Sequence, residues 1–547
     1  MINMARYIQI LTFLAVISSG WGIEYRRGEF ATCSAHPDSA EFEWAVGFDM
    51  IQCGGFGDFI STTLCDSFHE AGVRVILAYE WMPAGYHYIY SPSSDDPFMQ
   101  WIYANRYDKS LNPEGPFPHS AEYPDLHIQD YYYDLGDSEV VARRVEYMLH
   151  CLDSIGYDGV FFDWASGAFI DAEEYSAIRD TFYSRHPDIV YSAAVGEFYE
   201  ALHDSAPEIT IVTNQGFRRE QYILPTTNYD MTESYGTDYT YVDSLVYVRG
   251  LGTVNRIPVT KFYAVSEDEF VGSIGDHLHY LNVLLDVSHE YGRDRFEKII
   301  YMNYAAPKFV YSGEYVDSLP EIIPQKPRSA IYFGYCLAKL GAQIAYTEVP
   351  FDHKLERDSI YFFDLGSPST AGYDTFVSAD LDSYYVRYYE NGLVIVGDWQ
   401  IDSVRITLNS PFIPESAMVY NPFRGNWFVA VDHRLTVDIF PEFNDYTARY
   451  KPTGRLLLYD FDTTLSVLSG EDENFSPEIL LISATVHFKK IPSGANLMDL
   501  YDISGRLIGR FSVIQGEVNL SSLPDGLYFA VVHTEDRLWR GRILLVK

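Results

Sequence analysis

Hydrophobic and polar positions follow two patterns along the chain. From residue 29 to residue 340, short apolar runs alternate with segments whose apolar positions recur every three or four residues. This alternation predicts parallel strands joined by helices, because strands and helices bury apolar residues with periods of 2 and 3.6. Strands are predicted at residues 29–33, 50–54, 73–80, 160–162, 209–214, 229–234, 259–265 and 298–304.

Eight such runs predict a (β/α)8 TIM barrel, a fold of typically about 250 residues plus insertions. An open doubly wound sheet gives similar alternation, but its phosphate-binding turn is missing from the sequence. Helices are predicted at residues 38–46, 59–71, 138–155, 172–184, 194–204, 274–289 and 330–340. The long aromatic segment 82–133 is predicted to be an excursion that covers the site, since loops of such length inside a domain are usually functional.

The clearest helix leads into the most informative strand. Residues 138–155 place their apolar side chains on one stripe, and Asp137 is a suitable N-cap. The next stretch, GYDGVFFDWASG at 156–167, contains a turn, an apolar β-forming run and then Asp163. Because the carboxyl ends of barrel strands hold the chemistry of this fold, Asp163 is a candidate catalytic residue. The alternative is that Asp163 only ends the strand or caps the next helix.

Beyond residue 378 the pattern changes to alternation with period 2, which predicts antiparallel strands in a β-sandwich. The predicted domains are a signal peptide at 1–22, a barrel at 23–370, a β-sandwich at 371–468, a linker at 469–479 and a small Ig-like β-sandwich at 480–547.

Composition narrows the function classes. The 547 residues include 77 acidic and 39 basic side chains, and the formal net charge is −38. Such a surface repels phosphate backbones and anionic membranes, so no nucleic-acid partner is expected. Aromatic residues make up 16% of the chain, which suits stacking against sugar rings.

The cysteines and the known zinc motifs identify no further candidate site. The five cysteines are widely spaced, so no disulfide framework is expected. Cys53 and Cys65 are a candidate pair, although buried free thiols are favoured. The sequence contains no CxxC or HExxH zinc motif, and therefore neither a metal nor a cofactor is predicted.

The N-terminus has the pattern of a secretory signal peptide. Arg6 supplies the positive charge, an apolar run follows at residues 8–17, and small residues precede position 23. We expect an exported protein, secreted or on the cell surface, without a transmembrane segment.

Paired carboxylates suggest glycoside cleavage. Glycosidases commonly use two carboxyl groups, ~5–5.5 Å apart in retaining enzymes and ~6.5–9.5 Å apart in inverting ones. Asp163 after the fourth predicted strand and Glu233 after the sixth form a geometrically reasonable pair. Asp230 is a rival acid, because its face relative to Glu233 depends on the strand register.

Other residues are candidate substrate contacts. Glu80 ends the third predicted strand, and a structural role is equally plausible for it. Trp81 and Trp164 are candidate sugar platforms, with core packing as the alternative.

GYDGVFFDW resembles the fourth-strand motif of a hypothetical glycosyl hydrolase family, TIM-barrel proteins related to polygalactosaminidase and α-galactosidase-like barrels. The resemblance spans roughly residues 25–465 and includes IVTNQG at 211–216, YDMTES at 229–234, YMNYAAP at 301–307 and ENGLVIVGD from residue 390. It implies Asp163 as nucleophile, Glu233 as acid/base and Asn214 as a hydroxyl-binding residue.

The tail resembles a second family. LYDISGRLIGRF at 500–511, LPDGLYFAVV at 523–532 and the final RILLVK are similar to C-terminal sorting domains of the type IX secretion system. The resemblance implies export across an outer membrane, with the type IX secretion machinery as a partner.

Together these observations predict a secreted glycosidase, expected to be retaining, whose partner is a carbohydrate substrate, a neutral or basic glycan. The alternative is a surface glycan-binding or adhesion protein that keeps the barrel without turnover.

Overall fold

The computed structural model describes residues 26–82, 97–113, 131–171, 173–215, 220–262, 296–350, 353–377, 383–397, 404–439, 443–444, 449–450, 453–460, 479–482, 485–488, 497–501, 507–512, 517–519, 526–533 and 538–545. Predictions for residues 1–22 and for a helix at 274–289 lie outside these residues, as does nearly all of the predicted linker.

Eight parallel strands form a nearly closed barrel, with the last strand beside the first. They are β1 (Gly28–Cys33), β2 (Phe48–Gly55), β3 (Val75–Trp81), β4 (Gly159–Asp163), β5 (Thr210–Asn214), β6 (Tyr229–Glu233), β9 (Lys298–Tyr304) and β12 (Ile344–Glu348). Where β12 meets β1, the backbone N–H of Thr347 donates to the hydroxyl of Tyr361 at 3.1 Å.

The described helices are α1 (Ser39–Ala45), α2 (Thr62–Glu70), α3 (Pro97–Ala104), α4 (Arg106–Lys109), α5 (Ser138–Ile155), α6 (Ser176–Arg185), α7 (Tyr191–Ser205) and α8 (Arg328–Leu340). Short 3-10 helices lie at Ala168–Asp171, Glu173–Tyr175, Leu224–Thr226 and Ser359–Phe362. Helix α5 has the predicted bounds: the Asp137 carboxylate accepts the backbone N–H of Glu139, and Gly156 ends the helix in the left-handed region.

A smaller sheet rises from the barrel between its last strands. It consists of β7 (Thr237–Val248), β8 (Gly252–Phe262), β10 (Lys308–Val316) and β11 (Leu319–Gln325), and we call it the mouth sheet. Of the run predicted at residues 259–265 as a barrel strand, residues 259–262 belong to β8, which pairs antiparallel with β7, and the other three lie outside the described residues. That prediction was wrong, and the eighth barrel strand, β12, was missed.

A curled antiparallel sheet follows the barrel. Its strands are β13 (Asp374–Val377), β14 (Ser383–Tyr389), β15 (Gly392–Gly397), β16 (Val404–Asn409), β17 (Ser416–Asn421), β18 (Asn426–Val431), β19 (Arg434–Ile439) and β22 (Thr453–Tyr459), with a separate pair β20 (Phe443–Asn444) and β21 (Arg449–Tyr450). Alternate residues serve different cores: Val394 and Leu456 join the barrel core, whereas Leu393 and Leu457 pack within the curled sheet.

The tail contains two antiparallel sheets. One has β23 (Ile479–Ile482), β24 (Thr485–Phe488) and β27 (Glu517–Asn519), and the other has β25 (Leu497–Tyr501), β26 (Leu507–Ser512), β28 (Gly526–His533) and β29 (Leu538–Leu545). Its Ig-like topology stays a prediction.

No helix among the described residues is long and apolar enough to cross a membrane. All five cysteines are buried, and none of them forms a disulfide.

Candidate active site

The carboxyl ends of adjacent barrel strands bring five polar side chains into one hydrogen-bonded chain. They are Tyr79 on β3, Asp163 on β4, Asn214 on β5, Glu233 on β6 and Tyr304 on β9. Each lies at or near the last residue of its strand, so the parallel sheet places all five at the same rim of the barrel. We call this rim the barrel mouth.

The amide of Asn214 joins the two predicted catalytic carboxylates. Its Nδ2 donates to Oδ1 of Asp163 at 2.8 Å and to Oε2 of Glu233 at 3.0 Å. Both oxygens lie within hydrogen-bond distance of one nitrogen atom, so the two carboxylates are close neighbours. The structure therefore brings Asp163, Asn214 and Glu233 together.

Two tyrosines complete the hydrogen bonding of the carboxylates. The Tyr79 hydroxyl donates to Oδ2 of Asp163 at 2.7 Å, and the Tyr304 hydroxyl donates to Oε1 of Glu233 at 2.5 Å. Burial and the negative charge of Glu233 raise the pKa of the Tyr304 phenol well above its usual value. Tyr304 therefore keeps its proton and remains a donor to Glu233 over the physiological range.

The backbone turns sharply directly after each carboxylate. Trp164 and Ser234 both have φ of +54°, the left-handed region that non-glycine residues rarely adopt. Such conformations cost about 1–2 kcal/mol each and cluster at functional sites. At Asp163 the turn also allows the N–H of Trp164 to donate to Oδ1 at 2.9 Å.

A third carboxyl group lies at the same mouth. Glu348 is the last residue of β12, in register with Tyr304 on the neighbouring strand. Burial, followed by the charge of Glu356, raises the pKa of Glu348 to about 7; His353 opposes this rise and Glu233 adds to it. Glu348 is thus a group of this mouth that changes its charge near neutral pH.

Two acidic residues that the sequence predicts for the site, Glu80 and Asp230, point away from the mouth. Glu80 lies one residue after Tyr79, so it faces the helices, where it forms a fully buried ion pair with Arg144 of α5. Asp230 is three residues before Glu233 and faces outward for the same reason; its Oδ1 accepts from Thr213 and Gln215 at 2.9 Å. These placements favour structural roles for both residues.

The predicted tryptophan platforms differ in exposure. The rings of Trp81 and Trp164 meet edge-on at 6.3 Å. Trp81 is buried and also packs against Tyr132, whereas Trp164 is 47% exposed. Trp164 therefore offers ring surface beside Asp163, while Trp81 supports it from the core.

Tyr79, Tyr304 and Glu348 were missing from the sequence-based site. A sequence feature could have identified each of them. Tyr79 lies two residues before Trp81, and Tyr304 is the last residue of an apolar run. Glu348 ends the run IAYTE as Asp163 ends VFFD. Among the described residues, no cluster of three or more His, Cys, Asp and Glu side chains is arranged to hold a metal ion.

No family model and no curated protein matches the chain. Solved structures that match part of this chain include the glycoside hydrolase domain of PelA from Pseudomonas aeruginosa, at 14% identity, with 60% of this chain and 96% of that chain covered and a TM-score of 0.35. An α-amylase from Lactobacillus plantarum has 9% identity, coverage of 79% and 99%, and a TM-score of 0.42.

An α-galactosidase from Lactobacillus brevis has 9% identity, coverage of 83% and 56%, and a TM-score of 0.38. These structural neighbours are glycoside hydrolases. At such scores the similarity assigns no substrate and no catalytic residue to this chain.

Proposed function

We propose that this protein is a glycoside hydrolase that uses Asp163 and Glu233 as its catalytic pair. The observation that carries the proposal is the single amide of Asn214, which donates to both carboxylates at the barrel mouth. Paired carboxylates on either side of a glycosidic bond supply both functions that its hydrolysis requires.

A retaining mechanism is favoured by the spacing. One oxygen of Asp163 and one of Glu233 bond the same amide nitrogen, at 2.8 and 3.0 Å, and this closeness favours the ~5–5.5 Å spacing of retaining enzymes over the ~6.5–9.5 Å of inverting ones. Asp163 is the better nucleophile, because three donors stabilise its anion: Asn214, Tyr79 and the N–H of Trp164.

In the first step, an Asp163 oxygen bonds to the anomeric carbon while the bond from that carbon to the leaving oxygen breaks. Glu233 gives its proton to the leaving oxygen. In the second step, Glu233 takes a proton from water, the water oxygen bonds to the anomeric carbon, and the bond to Asp163 breaks.

A neutral or basic glycan is the proposed substrate class. Asp163, Glu233 and Glu348 lie at the same mouth, and the chain has a net charge of −38. A polyanionic glycan would be repelled, whereas exposed indole surface at Trp164 suits the apolar faces of neutral sugars.

The test is release of reducing ends from a panel of neutral and amino-sugar polysaccharides and aryl glycosides. We expect release by the parent and at least a ~10³-fold lower rate from Asp163→Asn, since the variant lacks the nucleophile. Asp153→Asn, which makes the same change on the exposed side of α5, is the control and should keep the parent rate.

Substantial turnover by a folded Asp163→Asn protein would remove Asp163 from the mechanism. First-formed products of inverted configuration, seen by NMR, would exclude the retaining assignment. Glycan binding without release of reducing ends by the parent would favour the adhesion-protein alternative.

For localisation, we propose export with removal of residues 1–22 and recognition of the tail by a type IX secretion system. The support is the pattern of the N-terminus and the tail motifs. N-terminal sequencing and mass measurement of the protein from the native culture test this; an intracellular protein that keeps residue 1 would contradict it.

A further inference from the structure

The mouth sheet is attached directly behind the proposed catalytic pair. β7 begins at Thr237, shortly after Glu233, and β10 begins at Lys308, shortly after Tyr304. The attachment is well bonded: Oδ1 of Asn303 accepts the N–H groups of Gly236 at 2.8 Å and Thr237 at 3.1 Å. A ligand that leaves the barrel mouth on this side therefore meets the mouth sheet at once.

Tyrosine rings connect the mouth to this sheet. The ring of Tyr304, whose hydroxyl donates to Glu233, lies 6.3 Å from the ring of Tyr239, and Tyr239 lies 5.9 Å from Tyr241. Tyr239 and Tyr241 are two residues apart on β7, so they share a face of the strand. The guanidinium of Arg256 lies 4.2 Å above the Tyr241 ring and holds a set of donors beside it.

The run of rings ends at a cavity. About 710 Å³ of space is lined by Tyr241 and Arg256 together with Leu251, Pro258, Phe309 and Pro324. This volume is in the ~300–1,000 Å³ range of ligand sites. The mouth sheet has its own small core of Val246, Val248 and Ile257, and Tyr241 is not part of that core but 41% exposed.

We propose that Tyr239, Tyr241 and Arg256 form a distal binding track for the same glycan chain whose bond lies between Asp163 and Glu233. Tyrosine rings pack against the C–H faces of sugars, and the Arg256 guanidinium donates to their hydroxyl groups. The occupant is the substrate itself because the rings run without interruption from the Glu233 partner Tyr304 to the cavity. The proposal rests on the proposed function and adds that the protein acts on chains of several sugars.

The test uses the full chain with Asp163→Asn, so that binding is measured without hydrolysis. Maltohexaose, cellohexaose and de-N-acetylated chitohexaose are titrated by calorimetry, with the corresponding disaccharides as short probes. In this background, Tyr241→Ala should weaken binding of the preferred hexasaccharide about tenfold and leave the disaccharide unchanged, because only the longer chain reaches the track.

Two controls separate the track from general damage. Tyr241→Phe keeps the ring and should bind within about twofold of the parent. Tyr222→Ala removes an exposed tyrosine whose backbone lies against Gly196 of α7, and it should have no effect.

Three results would overturn the proposed track. They are an equal loss of affinity for hexasaccharide and disaccharide in Tyr241→Ala, no loss of affinity for either, and no binding of any hexasaccharide. An otherwise native Tyr241→Ala protein could also hydrolyse a polymer at the parent rate. That result would overturn the track and leave the proposed hydrolase function unaffected. Conversely, the parent could bind a hexasaccharide through Tyr241 and yet release no reducing ends. That result would support the track and exclude the proposed hydrolase function.

Discussion

Single residues at the barrel mouth differ in how far the sequence reveals them. Asp163 and Glu233 are visible because each acidic residue lies at the end of a predicted strand, and strand ends are where a barrel holds its chemistry. The bridging amide of Asn214 is not visible as such, because its two hydrogen bonds depend on the distance between three neighbouring strands. Only the fold brings those atoms within 3.0 Å.

At this scale Glu348 gives a pH-dependent prediction. Its pKa is raised to about 7 by burial and Glu356, with Glu233 adding to the rise and the neighbouring His353 opposing it. Because its pKa is raised, the Glu348 carboxyl holds its proton more tightly in the folded state than in the unfolded state. Protonated Glu348 therefore contributes stability that is fully present below about pH 4.5 and is lost as pH rises through about 7. Glu348→Gln keeps the side chain neutral and removes that loss.

We therefore expect Glu348→Gln and the parent to have similar thermal midpoints at pH 4.5. At pH 8.5 the variant should be more stable, by on the order of 2 kcal/mol. Thermal unfolding of both proteins at the two pH values measures this, with Asp153→Asn as an exposed carboxyl control. A difference between variant and parent that is the same at both pH values would show that Glu348 does not titrate in this range.

At the scale of elements, one buried ion pair connects strand β3 with helix α5. Glu80 and Arg144 are both almost completely buried, and Arg144 also lies over the rings of Phe98 at 5.2 Å and Tyr133 at 4.8 Å. Burial lowers the pKa of Arg144 to about 10, which reflects the cost of removing its charge from water. The pair fixes the position of α5 against the barrel.

Glu80→Gln should destabilise the protein by about 3–5 kcal/mol, because it leaves the Arg144 charge buried without its counter-ion. The double variant Glu80→Leu with Arg144→Met should lose less, since it buries no charge. Denaturant unfolding compares the three proteins, and residual activity at low temperature is measured beside it. An active-site role for Glu80 would instead appear as lost turnover with unchanged stability.

The elements also show where the sequence pattern fails. The run at 259–265 has the alternation of a strand, but its partner is β7, joined to it by a tight turn in which Gly250 and Gly252 have positive φ. Period 2 does not distinguish a hairpin arm from a barrel strand. The true last strand, β12, follows α8 after a short turn, so its apolar run directly adjoins that of the predicted helix at 330–340.

For the whole molecule, helix α8 joins the barrel to the curled sheet. Its residues from Ala330 to Leu340 are all buried. On the sheet side, Arg387 donates to the carbonyl of Leu340 at 2.7 Å, and on the barrel side Lys339 pairs with Glu29. The two units therefore share one continuous hydrophobic core.

Gly454 tests this shared core. A Cβ there would lie 2.4 Å from the carbonyl oxygen of Tyr332 and 2.7 Å from Cα of Phe333, so Gly454→Ala forces the sheet away from α8. We expect a loss of about 1–3 kcal/mol in the unfolding of barrel and sheet together.

Gly372→Ala is the matched control, because a Cβ at Gly372 meets no atom within 4 Å and should leave stability unchanged. Calorimetry follows both variants. If Gly454→Ala lowered one transition and left a separate barrel transition in place, the two units would unfold independently.

The position of α8 also sets the order in which the chain can be completed during synthesis. The helix ends at residue 340, but β22, which covers it, begins at residue 453. Until the ribosome has made that strand, the barrel carries an apolar helix open to water and to other nascent chains. The finished barrel thus depends on a segment that is made long after its own last strand. Chaperones can bind the exposed helix during the time between the synthesis of α8 and the synthesis of β22.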